Sequence, residues 1–156
     1  MIRIAVEKDY EQLAIMKWLH CKEDDLVYGE NNLTGVHKEN FITEFIDFLK
    51  TDHTYKIFVL EENDVIISAM FVSIIPKLPK PNRTTKYIAY LTNVYTLKEY
   101  RNNKKGTELV TYIKQYLQNQ QCELLIVWPS TNSINWYKRN GFCQENEIFE
   151  CTLIPE

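Results

Sequence analysis

The sequence has no apolar run long enough to cross a membrane, no Cys-x-x-Cys pair and no surplus of positive charge. Its hydrophobic stretches break well short of the roughly 20 residues that a membrane helix needs. The amino terminus enters periodic structure at once, without the apolar core of a signal peptide. These absences lead us to expect a cytoplasmic protein with no membrane partner. The cysteines, Cys21, Cys122, Cys143 and Cys151, are widely spaced with no histidine at metal-ligand spacing. That excludes the common zinc patterns and leaves small hydrophobes or idle thiols, so no metal is expected. A formal net charge of −3 exerts no global pull on nucleic acid, and any anion site must be a local patch. Repeats and low-complexity segments are missing too, which excludes solenoids.

What is present is the material of a core. The chain has 156 residues, 45% of them hydrophobic and 13% aromatic, which suits one domain spanning 1–156. Ile2, Ile4 and Val6 alternate as in a half-buried strand; Asp9 then stands as a plausible N-cap before Tyr10, Leu13, Ala14 and Trp18 at helical spacing. From Cys21 to Lys38 the chain turns polar and reads as a long loop, and a second helix carries Phe41, Ile42, Phe45, Ile46, Phe48 and Leu49. "YKIFVL" and "VIISAMFVSII" flank "EEND" as an antiparallel hairpin. A proline-rich connection leads to the strand "YIAYLTNVYTL" and a helix with Leu109, Val110, Ile113, Tyr116 and Leu117 on one face. "ELLIVW" reads as a strand buried on both faces, followed by a short helix over 132–140 and a last strand, "EIFECTLI". The order β-α-α-β-β-β-α-β-α-β predicts a mixed α/β sheet, antiparallel early, with a parallel β-α-β unit and helices on both faces.

Between the strand and the helix of that unit lies "EYRNNKKGTELVTYI". A strand, a short turn and a helix whose first amides are unpaired make an anion site, since the free N–H groups and the helix dipole both favour negative charge. Arg101, Lys104 and Lys105 surround it, and Gly106 lets backbone approach a ligand. The other reading of these residues is a solvated basic turn.

The second half of the chain narrows this further. "NVYTLKEYRNNKKGTELV", followed about twenty residues later by "LLIVWPSTNSINWYKRNGF", resembles the two signature regions of the GNAT superfamily of N-acetyltransferases. The first region has the form Arg-x-x-Gly-x-Gly/Ala, then a small or polar residue and Leu, and here Arg101, Gly106, Thr107 and Leu109 stand at matching positions. The second ends in an aromatic-Tyr pair, three residues and Gly-Phe, reproduced by Trp136, Tyr137, Gly141 and Phe142. Lys104 stands where the family usually has its first glycine, and Lys98 where it often has proline. Lys104 would crowd a turn that needs positive φ, or pair with a phosphate.

The resemblance implies a GNAT-like sheet splayed at the cofactor site and acetyl-coenzyme A as acyl donor. Arg101, Asn102, Asn103, Lys104, Lys105, Gly106 and Thr107 would hold its pyrophosphate, and Ser130, Ser133 and Tyr137 would complete the cofactor set. Main-chain groups of Val94, Tyr95 and Thr96 would bond the pantetheine arm between strands 88–97 and 123–128, splayed near a bulge in the former. The implied reaction is attack of a primary amine, on a small molecule or peptide, on the thioester. The amide near Val94 would stabilise the oxyanion. Tyr137 would be the general acid, its phenol protonating the departing thiolate, although packing against Trp136 and Phe142 is the plainer role. Many relatives carry an acidic residue on the central strand, but this chain has Thr92 and Asn93 there. A water held by Asn93 and Thr92 would serve as the base, or Glu30 would. Tyr28, Glu30 and Asn93 would line the acceptor pocket. Glu23, Asp24, Asp25 and Glu30 would make its entrance attractive to a cation, or simply form a solvated loop. His20, His37 and His53 are scattered and read as surface or capping residues.

The alternative within the same fold is a catalytically weak or inactive acyl-CoA-binding module. Binding of nucleic acid or protein through Arg101, Lys104, Lys105, Lys138 and Arg139 would need a broad basic face, and the acidic balance opposes it. A homodimer is compatible with this reading.

Overall fold

A computed structural model describes residues 1–144 and 148–154. Strand β1 (Ile2–Ile4) leads through a 3-10 turn into α1 (Tyr10–Tyr28), and α2 (Lys38–Thr51) follows. Strands β2 (Tyr55–Glu62), β3 (Val65–Pro76) and β4 (Tyr87–Thr96) come next, then α3 (Lys105–Asn119), β5 (Cys122–Val127) and α4 (Ile134–Arg139). The sheet order is β1-β2-β3-β4-β5, antiparallel throughout except for the parallel β4–β5 pair. Among the described residues, no helix is long and apolar enough to cross a membrane.

Alternation along the strands supplies two cores. Phe58, Leu60, Met70, Val72, Ala89 and Leu91 meet Leu109, Val110, Ile113 and Leu117 of α3, with Tyr137 at the edge. Ile57, Val59, Ala69 and Phe71 meet Leu13 and Met16 of α1 and Leu49 of α2 on the other side. Each fully buried side chain of this size contributes about 1.5–3 kcal/mol, which is what holds helices to both faces. The β2–β3 turn places Asn63 and Asp64 at φ 50° and 63°, the left-handed pair a two-residue hairpin needs.

Four expectations change. The polar stretch after Cys21 is not all loop: α1 continues to Tyr28 and stops at Gly29, whose φ of 67° caps it. Polarity marked the solvent and cleft faces of two helical turns, not an absence of helix. Strand β5 is not buried on both faces: Glu123 and Leu124 are exposed, and no described strand pairs along its outer side. The last strand does not appear within 148–154, where Ile148, Phe149, Leu153 and Ile154 are exposed; residue 147 lies outside the described residues. Asp9 does not cap α1 with its side chain. Its Oδ2 accepts from the Val6 amide at 2.8 Å and from Arg3 Nη1 at 2.6 Å, while Oδ1 accepts from Arg3 Nη2 at 2.9 Å.

Arg3 also reaches Glu61 of β2, so this knot ties the chain's first strand to the entry of α1. The Arg3 hydrogen bonds hold the Asp9 carboxyl below the usual carboxylate range, against burial and with help from the Val6 amide. A depressed carboxyl contributes stability above its unfolded value near 3.9, and the contribution is lost as pH falls through the folded value. Asp9→Asn should therefore cost about 1–3 kcal/mol at neutral pH. Urea unfolding at pH 7 and across the acid range should show that the variant also loses less stability than the wild type on acidification.

Candidate active site

The geometry of the site starts at one residue of β4. Thr92 pairs with Phe71 and Tyr95 with Ala69, so Asn93 and Val94 together oppose the single residue Met70. Asn93 has φ 48°, the left-handed first position of a β-bulge, which asparagine tolerates better than most side chains. Pairing of β4 with β5 ends at Leu91–Val127, while β4 runs on to Thr96. The strands part there, and a cleft of about 1060 Å³ opens between them.

Most residues expected at the site line this cleft: Asn93, Val94, Tyr95 and Thr96 from β4; Arg101, Asn102, Lys104, Lys105, Gly106 and Thr107 from the turn and α3; Ser130, Ser133 and Tyr137 beyond β5. Tyr28 and Glu30 line it from the opposite side. Asn103 does not, and neither does Asp25, whose carboxylate accepts from the Asn32 and Leu33 amides and shapes the loop after α1. Cys143 is exposed and also outside the lining.

At the turn, Asn102 and Lys104 have φ 63° and 59°, with Arg101 extended between Tyr100 and Asn102. Left-handed residues in such a turn point successive amides into a concavity, here beside the open first turn of α3. Lys104 is the residue before that helix and its carbonyl accepts the first helical bond, from Glu108 at 2.9 Å. Gly106, which lines the cleft, also has a packing role. A Cβ there would lie 3.2 Å from Trp136 Cζ2 and 3.5 Å from Thr96 Oγ1, so the missing side chain serves close packing of α3 on Trp136 and β4.

The basic residues are less free than their sequence suggests. Arg101 forms a two-pronged pair with Glu23 at 2.8 and 3.0 Å, donates from Nε to the Thr96 carbonyl at 2.8 Å, and lies 5.1 Å over the Tyr95 ring. Lys105 is paired with Glu62 of β2. Tyr95 donates its hydroxyl to Glu23 at 2.6 Å. Burial opposes ionisation of Glu23, but Arg101 and Tyr95 prevail and hold it below the usual range. Burial and then Glu23 push the Tyr95 phenol well above its ordinary value. This trio ties α1 to the start of the turn.

Deeper in the cleft, Tyr137 packs edge-on between Trp136 at 4.9 Å and Phe142 at 5.2 Å. It is 6% exposed, and burial, with Tyr90 nearby, pushes its phenol up to about 12. The packing role foreseen for Tyr137 is present, and the residue also lines the cleft.

His20 is the residue that sequence reasoning misplaced. It is not a surface histidine: it lines the cleft and stacks on Tyr95 at 5.1 Å. Its Nε2 is 3.5 Å from Asp24 Oδ2, one helical turn on. Burial, with Lys17 adding, holds the imidazole below its ordinary value, against Asp24, Asn93 and Glu23. Burial also raises Asp24, with Glu30 and Glu23 adding, against His20 and Lys17. The signal that could have found it is the i, i+4 spacing of His20 and Asp24, visible once α1 is read through to Tyr28.

A family model for the acetyltransferase (GNAT) family matches residues 15–142. The chain belongs to this family. Among solved structures it is similar to a predicted acetyltransferase from Clostridium acetobutylicum crystallised with acetyl-CoA, at 21% identity and a TM-score of 0.72 over 98% of this chain and 96% of that one. It is also similar to a GCN5-related N-acetyltransferase from Ralstonia eutropha JMP134, at 18% identity, 97% coverage of both chains and a TM-score of 0.73. Glucosamine-6-phosphate N-acetyltransferase from Arabidopsis thaliana shares 17% identity over 99% of this chain and 98% of that one, with a TM-score of 0.65. At these identities the likeness shows the shared fold. No curated protein matches the sequence.

The departure from the GNAT pattern at Lys104 now has a physical reading. The position does need positive φ, which is why glycine is usual there, and this GNAT chain places a lysine in the left-handed region instead. An unbranched side chain tolerates this at a cost of order 1–2 kcal/mol; a β-branched one does so less well. Lys104→Gly should leave stability unchanged or raise it by up to about 1 kcal/mol, whereas Lys104→Val should lower it by about 1–3 kcal/mol. Chemical denaturation of both variants measures the difference.

Proposed function

We propose that the chain is an acetyl-CoA-dependent N-acetyltransferase of the cytoplasm that transfers the acetyl group to a primary amine of a small molecule or peptide by direct attack. The observation that carries this is the cleft at the β4–β5 divergence. One end holds the left-handed turn and open start of α3, and the other holds Tyr137 and the acidic wall of α1.

The residues suit the donor. The concave amides over 101–107 and the dipole of α3 favour a pyrophosphate, with Lys104 as the side chain at hand. Arg101, engaged by Glu23, shapes the turn and supports that site indirectly. Ser130 and Ser133 bond to one another at 3.0 Å and close the turn before α4. Beyond Leu91, β4 is free of β5, so main-chain groups around Val94 are available to an extended pantetheine arm, while the Thr96 carbonyl is held by Arg101. An amide aimed at the thioester oxygen there would stabilise the oxyanion by roughly 2.7–4 kcal/mol.

The residues also suit the acceptor. Glu23 is neutralised by Arg101, which leaves Asp24 and Glu30 as the negative charges of the cleft wall and favours a cationic amine. Tyr28 closes this side, its hydroxyl accepting from the Asn132 amide at 3.4 Å. Tyr137 protonates the departing sulfur. With its phenol near 12 it keeps its proton across the neutral and mildly alkaline range, so it imposes no loss of activity there.

Calorimetric titration with acetyl-CoA should give saturable one-to-one binding. Tyr137→Phe should bind the donor with affinity within about threefold of wild type and lose about 10²–10⁴ in kcat. No binding by the wild type would overturn the reading. Binding with no transfer to any amine would instead indicate a non-catalytic acyl-CoA-binding module of the same fold.

A further inference from the structure

We propose that the acceptor is a primary amine borne on an apolar skeleton, aromatic or branched alkyl, and that Trp128, Val27 and Tyr28 form the wall that receives this skeleton. The proposal rests on the acetyltransferase reading above and narrows its acceptor to one chemical class.

Register in the sheet puts Trp128 on the face that α1 covers. Phe71 belongs to the core beneath α1 and α2, and Ser73, two residues on in β3, points to the same side. Ser73 pairs with Tyr90, and Tyr90 with Ile126, and paired residues share a face. Trp128 follows Ile126 by two residues and meets Tyr90 edge-on, with ring centroids 4.9 Å apart. Its indole therefore stands on the α1 side, just past the last β4–β5 pair, where it lines the cleft.

Across from it, α1 carries Asp24, Val27 and Tyr28 at i, i+3 and i+4, and all three line the cleft. The Asn132 amide donates to the Tyr28 hydroxyl at 3.4 Å, which brings the end of α1 against the segment that follows Trp128. Trp128 is nevertheless 57% exposed, Val27 58% and Tyr28 37%. Large apolar side chains gathered at one opening and left in water mark a surface that a ligand covers. The polar atoms of the two rings are already engaged, since Trp128 Nε1 donates to Glu150 at 2.8 Å. What these side chains still offer is apolar area.

Charge sets the direction in which the amine lies. Asp24 is half-buried and stands about one helical turn, roughly 5.4 Å, before the exposed Val27 and Tyr28. The ammonium is drawn inward to the acidic wall and the skeleton is left against the apolar mouth. Lys17, two turns before Asp24 on the same wall, repels a second ammonium on that side. A second ammonium at the mouth would keep its own water and leave the indole wet, whereas an apolar skeleton removes water from it. A polyhydroxylated amine is served no better, because Ser130 and Ser133 are bonded to one another.

The test follows thiol release from acetyl-CoA on the full chain, with 2-phenylethylamine, 1,4-diaminobutane and glucosamine 6-phosphate as probe amines. Wild-type kcat/KM should be highest for 2-phenylethylamine, by about 10–100-fold. In Trp128→Ala the preference for 2-phenylethylamine over 1,4-diaminobutane should fall about tenfold or more, chiefly through KM, with acetyl-CoA affinity in calorimetry within about threefold of wild type. Trp128→Phe should retain most of the preference. A wild type that favours the diamine or the amino sugar would overturn the proposal and leave the acetyltransferase reading standing, as would a preference that Trp128→Ala does not change. If Trp128→Ala weakens acetyl-CoA as much as it weakens the amine, the indole serves the donor and the proposal falls. A wild type that fails to bind acetyl-CoA, or acetylates none of the probes, would overturn that reading and this one with it. If Trp128→Ala does not fold, Val27→Asn on the exposed face of α1 takes its place: the same preference should fall by about fivefold, and an unchanged preference would overturn the proposal.

Discussion

The left-handed backbone of Asn93 is the constraint on which the site depends. By setting two residues of β4 against one of β3, it turns the strand away from β5 after Leu91. A flush parallel pair would have left neither a cleft nor unpaired main chain. The bulge also sets the order of everything along the cleft, with α3 and its turn beyond Thr96, Tyr137 below, and α1 facing the bulge itself. Such a backbone is costly unless its surroundings over-determine it. Here they do: Ala69 and Phe71 pair on either side of it, and Tyr95 is anchored into the second core.

Charge in this protein is arranged by pairing more than by accumulation. Arg101 looks in the sequence like a free cation beside an anion site, yet it is engaged by Glu23, Tyr95 and the Thr96 carbonyl. The consequence is mechanical. The pair joins α1, on one wall of the cleft, to the turn that precedes α3, on the other. It also removes Glu23 from the negative field of the cleft and fixes the plane on which His20 stacks. What the turn presents to the cleft is oriented backbone amides, whose partial charges are held in place by the fold and need no side-chain ordering.

The two halves of the cleft differ in what they ask of side chains. The α3 side is built from conformation: Asn102 and Lys104 at positive φ, Gly106 against Trp136, and a strand edge without its partner. The α1 side is built from titratable groups whose environments push them apart, with His20 lowered by burial, Glu23 lowered by Arg101 and Tyr95, and Asp24 raised by burial. Backbone recognition follows from the fold, whereas recognition of the amine depends on which side chains α1 happens to place on one face.

The sequence alone determined the element order through β5, both core faces, the Asn63–Asp64 turn and the membership of the 101–107 turn. These depend on local periodicity and on the φ preferences of single residues, which neighbours in the chain decide. It also pointed to Tyr137, because an aromatic pair before Gly141 and Phe142 is a contiguous motif. Tertiary structure decided the rest. The edge position of β5 depends on what lies beside it, not on its own apolar run. The engagement of Arg101 depends on Glu23, 78 residues away along the chain. His20 reads as an ordinary polar position until α1 is carried through to Tyr28 and packed over β4; only then do Asp24, Tyr95 and Asn93 surround it. A histidine's function is set by what buries it and what it faces, and both are supplied by distant parts of the chain.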